Sequence, residues 1–133
     1  MSKENVERIR LMYEHFNRTD EPHWELFDSE AEFDATAVVG LGRYAITEGR
    51  EEILGLLHSY AAAFEEWRIE PEEIIDAGDQ VVAAVRDGGH LRGTDDVVYN
   101  RFTHVWTFRS GKIVRWKTFT DRSQALEAAG LRE

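Results

Sequence analysis

The chain reads as an α+β domain, and three observations predict it. Apolar residues recur at helical spacing in the first half, alternate at period two in the second half, and switch between the two periods near Trp67. Helices first and antiparallel strands last place the helices on one face of a curved sheet.

Val6, Ile9, Met12, Tyr13 and Phe16 mark a first amphipathic helix from about Lys3 to Arg18. Asp20, Glu21 and Pro22 interrupt it, and Pro22 can open a short second helix through Trp24, Leu26 and Phe27. Ala31 to Thr36 alternates as a brief strand with Phe33 inward, and Gly40 and Gly42 mark an irregular crossing before Tyr44. Thr47 or Gly49 starts a third helix whose stripe of Ile53, Leu54, Leu57, Tyr60, Ala61 and Phe64 ends near Trp67. Strands follow at about Arg68 to Asp76, Gln80 to Arg92, Val97 to Phe108 and Lys112 to Thr120, with a tight turn at Ala77, Gly78 and Asp79. Pro71 places the first of these at a sheet edge or a bulge, and Gly88 and Gly89 read as a bulge or bend. Asp121 with Gln124 reads as a capping box that opens a last helix, which stops at Gly130.

The most informative stretch is Phe102 to Asp121, where aromatic and polar residues alternate on both sides of Arg109, Ser110 and Gly111. Its register decides which side chains share a face. A two-residue turn at Ser110 and Gly111 would set Arg115 and Lys117 beside Phe102, Trp106 and Phe108, burying charge without a partner. A three-residue loop with Gly111 as a left-handed bulge instead puts Phe102, His104, Trp106 and Phe108 on one face with Val114, Trp116 and Thr118. His104 is then expected roughly opposite Trp116, with Arg101, Thr103, Thr107, Arg115 and Lys117 on the wetter face.

A chain of 133 residues fits a single domain over 1–133, large enough to enclose a cavity. It has no cysteine, so thiolate metal sites and a cysteine nucleophile are excluded and a reducing cytoplasm is expected. No apolar run is long enough to span a bilayer. A net charge of −10 repels phosphate backbones, so neither a nucleic acid nor a membrane is expected as partner. The five histidines show no paired metal-ligand spacing and no glycine-rich phosphate loop is present, so neither a metal nor a cofactor is expected.

The run from Phe102 to Gly130, with Glu48 to Ile53 as a glycine-arginine helix start and Ile74 to Val82 as a first hairpin, resembles the SnoaL-like branch of the nuclear-transport-factor-2-like superfamily. The resemblance covers nearly the whole chain. It implies a conical barrel, a strongly curved and mostly antiparallel sheet with N-terminal helices on its concave face and a short C-terminal helix, enclosing a deep pocket. Members include ketosteroid isomerases, polyketide cyclases, epoxide hydrolases, dehydratases and proteins without known activity, and fold alone does not choose among them.

Three residues are carried over as candidate proton-transfer groups. His104 falls where the resemblance places the isomerases' oxyanion donor. It can donate, act as base, or be a buried histidine satisfied by a carbonyl or water. Asp34 lies one place before the isomerases' base, at Ala35, and by alternation points with Glu32 toward solvent. Asp121 corresponds to the acid/base of SnoaL-type cyclases and is equally a helix cap. The isomerases' helix tyrosine falls at Met12, with Tyr13 adjacent, and the Arg/Asp strand pair of limonene-type epoxide hydrolases is missing. Phe16, Tyr44, Phe102, Trp106, Trp116 and Thr118 are the expected pocket residues. The expected function is binding of a small hydrophobic carbonyl-bearing molecule, with isomerisation or cyclisation by acid/base chemistry. The alternative is a non-catalytic ligand-binding or association domain, homodimeric through the outer sheet face around Val105 and Thr107.

Overall fold

A computed structural model describes residues 2–37 and 46–131. Helix α1 (Ser2–Thr19) is followed by a single 3-10 turn (Trp24–Leu26), strands β1 (Phe27–Asp34) and β2 (Ile46–Glu48), helix α2 (Gly49–Ala61), strands β3 (Arg68–Ala77), β4 (Gln80–His90), β5 (Val97–Arg109) and β6 (Lys112–Phe119), and helix α3 (Arg122–Ala128). The strands form one curled sheet in the order β2-β1-β6-β5-β4-β3. All neighbours are antiparallel except β1 and β6. The expected irregular crossing at Gly40 and Gly42 lies outside the described residues.

Both N-terminal helices cover the inner face. Ile9, Met12, Tyr13 and Phe16 of α1 and Ile53 and Leu57 of α2 are buried against Val81, Ala83, Val85, Trp106 and Trp116 of the sheet. Asn17 fixes the tilt of α1, because its side-chain amide donates to the Ile69 carbonyl at 2.8 Å and its carbonyl accepts from the Ile69 N–H at 2.9 Å. A single side chain thereby satisfies an unpaired peptide of the edge strand β3. Pro71 sits on that edge, beside a register shift between Pro71 and Glu73.

The outer face carries a second, smaller core. Ala125 and Leu126 of α3 cover Val82, Val105 and Phe119. Val105, expected to line an outward surface, is only 3% exposed for this reason, and Thr103 is buried as well.

The terminal hairpin departs from the expected register. Arg109 pairs with Lys112 across a two-residue turn, with Ser110 at φ 53° and Gly111 at φ 78°, the pair of positive φ values that matches a right-handed strand twist. The extra residue comes later: Phe108 faces Ile113 but Thr107 faces Arg115, so Val114 is bulged. Trp106 therefore faces Trp116, and His104 faces Thr118 rather than Trp116. A bulge in β6 does what the expected glycine loop would have done, returning Arg115 and Lys117 to the outer face.

Other boundaries shift too. The third helix ends at Ala61 rather than near Trp67, and Phe27 begins a strand instead of ending a helix. Gly88 and Gly89 form no bulge, since the β4–β5 ladder runs unbroken from Gln80 to His90. They are required by close approach: a Cβ on Gly88 would lie 2.0 Å from the Val98 carbonyl oxygen, and one on Gly89 would lie 1.9 Å from that of Glu66.

Candidate functional site

His104 occupies the middle of β5 on the inner face and is 2% exposed. Its ring is set edge-on to Trp116 at 5.3 Å and to Trp106 at 5.9 Å. Those two indoles stack on each other at 4.6 Å, and Phe33 extends the column from β1 at 4.1 Å from Trp116. Aromatic residues at period two on adjacent strands build this column directly from the sequence pattern.

Tyr13 joins the helix to the ring. The Trp106 Nε1–H donates to Tyr13 Oη at 2.9 Å, and Tyr13 Oη lies 2.8 Å from His104 Nδ1. Donation of the hydroxyl proton to Nδ1 gives both the Trp106 N–H and the Tyr13 hydroxyl an acceptor, whereas the other tautomer would strand the hydroxyl; the imidazole's own proton is then on Nε2. Burial pushes His104 down to about 3 and raises the Tyr13 hydroxyl above its ordinary range. Both groups are neutral near pH 7.

His104 lies on the wall of a cavity between the sheet and α2, lined also by Phe33, Leu57, Tyr60, Trp67, Asp87, Phe102, Trp116 and Thr118. The unfilled space, solvent at the mouth included, is about 440 Å³. Almost all of the lining is apolar.

The second titratable group on this wall is Asp87, on β4. Tyr60 Oη donates to Asp87 Oδ1 at 3.2 Å, and Asn100 Nδ2 donates to Tyr60 Oη at 2.9 Å. Burial pushes the carboxyl up to about 6, only partly countered by Trp67, Tyr60 and Asn100. The Trp67 indole acts through proximity, because its N–H makes no hydrogen bond to any acceptor among the described residues. Burial also raises the Tyr60 hydroxyl, and the neighbouring carboxylate raises it further.

Of the three expected proton-transfer residues, the structure brings only His104 to the cavity. Asp34 points to the outer side of β1, where Arg115 lies at 3.2 Å, Lys117 at 3.7 Å and the Thr36 N–H and hydroxyl at 2.9 and 2.7 Å. Burial opposes its ionisation, but the Thr36 bonds, Lys117 and Arg115 outweigh it and hold the carboxyl below the usual range. It is an ion-pair centre at 4% exposure rather than the solvated acid that alternation suggests. Asp121 is exposed and caps α3, accepting from the Ser123 N–H at 2.8 Å.

Among the expected pocket residues, Phe102, Trp116 and Thr118 line the cavity. Trp106 is packed behind it, and Phe16 lines a separate surface groove with Leu57, Phe64 and Trp67. Tyr44 lies outside the described residues. Sequence reasoning missed Asp87 and passed over Tyr13. Val81, Ala83, Val85 and Asp87 occupy one face of β4 by alternation, so an acid at the end of an apolar row was the available signal. The helix stripe likewise held Tyr13 inward, and its hydroxyl stands at the ring that the resemblance singled out.

Among the described residues no three His, Asp or Glu side chains converge as a metal site requires, and no helix is long and apolar enough to cross a membrane.

Comparison with known proteins agrees with this architecture. The chain is similar to an NTF2-like protein of unknown function from Burkholderia pseudomallei, with 21% identity, coverage of 93% of this chain and 95% of that one, and a TM-score of 0.75. It is similar to TerC, co-crystallised with polyporic acid, at 27% identity over 96% of this chain and 98% of that one, with a TM-score of 0.73. A putative SnoaL-like polyketide cyclase from Jannaschia sp. CCS1 has 20% identity over 96% and 92% of the two chains and a TM-score of 0.70. No curated protein matches the chain. The model of the SnoaL-like domain matches residues 9–116, most of the curled sheet and both inner helices. The chain belongs to the SnoaL-like domain family.

Proposed function

We propose that the protein binds a small, largely apolar molecule through its carbonyl group, with His104 donating from Nε2 to the carbonyl oxygen. One observation carries this reading: an imidazole kept neutral by burial and oriented by Tyr13, with its second nitrogen left for a cavity whose lining among the described residues is mostly apolar. In such surroundings a single hydrogen-bond donor fixes orientation while the apolar walls supply most of the affinity. A neutral imidazole donates without taking up the substrate's proton, so it polarises the carbonyl and makes the adjacent carbon more acidic. That contact is what an isomerisation or cyclisation of a carbonyl compound needs at its oxygen. The co-crystallisation of TerC with polyporic acid supports reading the cavity as a site for a small organic molecule.

The test compares α-tetralone with tetralin, which differ only in a carbonyl replacing one ring methylene. Trp67 and Trp116 line the cavity, so their fluorescence reports occupancy. The ketone is expected to bind about three- to ten-fold tighter than the hydrocarbon, the worth of one hydrogen bond, and His104→Phe is expected to erase the difference. Equal affinities in the unmodified protein would reject the reading.

A further inference from the structure

Asp34 and Asp87 are 4% and 3% exposed, and the chain treats these two buried carboxyls in opposite ways. Asp34 receives Arg115 and Lys117. Asp87 forms no ion pair with any Lys, Arg or His among the described residues. The cations nearest to it in sequence are committed elsewhere: Arg86 and Arg101 point to the outer face, where they meet Glu70 at 3.0 Å and Glu72 at 2.6 Å. Arg92 is spent on the carbonyls of Ala62 and Phe64. Tyr60 and Asn100 orient the Asp87 carboxyl but bring no charge. A buried carboxylate without a counter-charge costs stability, and a chain that supplies two cations to one such group leaves the other open on a cavity wall.

Resting on the reading of this cavity as a ligand site, we propose that Asp87 is the anchor for an alkylated ammonium group of the ligand. Asp87 supplies the counter-charge, and Tyr60, Trp67 and Phe102, which line the cavity with it, supply aromatic walls. The Tyr60 and Trp67 rings lie 4.9 Å apart and are tilted by 55°, so they present differently directed surfaces to the cavity. Among the described residues no cationic side chain lines the cavity to compete for the carboxylate. A net charge of −10 adds a field that concentrates cations and repels anionic ligands. His104 faces Ala83, four residues along β4 from Asp87, which separates the two backbone positions by roughly 14 Å. The ligand class is therefore a carbonyl compound with an alkylated amine several bonds away from the carbonyl.

Choline and its neutral tert-butyl analogue, in which carbon replaces the quaternary nitrogen, have nearly the same shape and separate charge from size. With the full chain at about pH 7.5, choline is expected to bind at least about ten-fold tighter than the analogue, and Asp87→Asn to abolish that preference. Because the carboxyl must be ionised, choline affinity is expected to fall about ten-fold per pH unit below pH 6. Tyr60, raised above its ordinary range, and the neutral His104 keep their charge through that interval, and Trp67 and Asn100 do not titrate. Equal binding of the two probes, no choline binding, or a preference that survives Asp87→Asn would overturn the proposal. α-Tetralone that still binds while choline does not would sink this inference alone. Failure of both probes would remove the cavity as a ligand site.

Discussion

Tyr13 holds two buried polar groups at once, the indole N–H of Trp106 and Nδ1 of His104. Tyr13→Phe keeps the ring packing and strands both, and each unsatisfied buried group costs about 1 to 3 kcal/mol. The expected loss is about 2 to 6 kcal/mol in urea denaturation, with the fold retained; a loss below about 1 kcal/mol would mean that the hydroxyl does not hold the imidazole. At this scale the sequence is informative where a side chain is unusual for its face. One imidazole among aromatic residues stands out, and so His104 is readable from alternation alone. The cap role of Asp121 is legible in its spacing to Gln124, but the environment of Asp34 is not readable from its own segment. Whether an acid at a strand end is solvated or ion-paired depends on which strand lies beside it. The parallel pairing of β1 with β6, which brings Arg115 and Lys117 to Asp34, has no local signature.

At the scale of elements, faces are legible and registers are not. Alternation assigns His104, Trp106 and Trp116 to one side of the ribbon because period two fixes sides. It does not say where an extra residue enters, and a bulge at Val114 or a longer loop at Gly111 satisfies the same face pattern. The glycines separate in the same way. Gly55 lies in α2, where an added Cβ would meet nothing within 4 Å, so Gly55→Ala is expected to stabilise by about 0.5 to 1 kcal/mol through helix propensity. Gly89, at φ 154° with the Glu66 carbonyl against it, has no room, and Gly89→Ala is expected to cost more than about 3 kcal/mol or prevent folding. Thermal melting of the two variants checks both, and a Gly89→Ala protein as stable as the parent would contradict the close packing of β4 on the loop before β3. The short β2 strand is the element that no sequence pattern announced. Three residues are too few for a period, and the strand exists because β1 offers an edge to pair with.

For the whole molecule, Asp87 makes stability depend on pH in the direction opposite to most carboxylates. Its folded pKa of about 6 lies above the value near 3.9 expected for the unfolded chain. Between those values the native state holds a proton that the unfolded state has released, so stability falls as pH rises through that window. Above it the full penalty is present, about 2 to 3 kcal/mol at about 1.4 kcal/mol per pH unit. Asp87→Asn removes the penalty while keeping an acceptor for Tyr60. The variant is therefore expected to be more stable than the parent by about that amount at pH 8, and the gain is expected to vanish as pH approaches about 4. His104 acts in the other sense, since its folded value of about 3 lies below the unfolded one and its neutral form loses ground as pH falls. The two groups oppose each other between about pH 4 and 6, so the parent's stability curve is flattened there, and the variant's, with His104 unopposed, slopes downward toward acid. Urea denaturation of both proteins across that range decides the matter. Parallel curves would mean that Asp87 carries no buried penalty, and with it would go the reason to expect a ligand that supplies the missing charge.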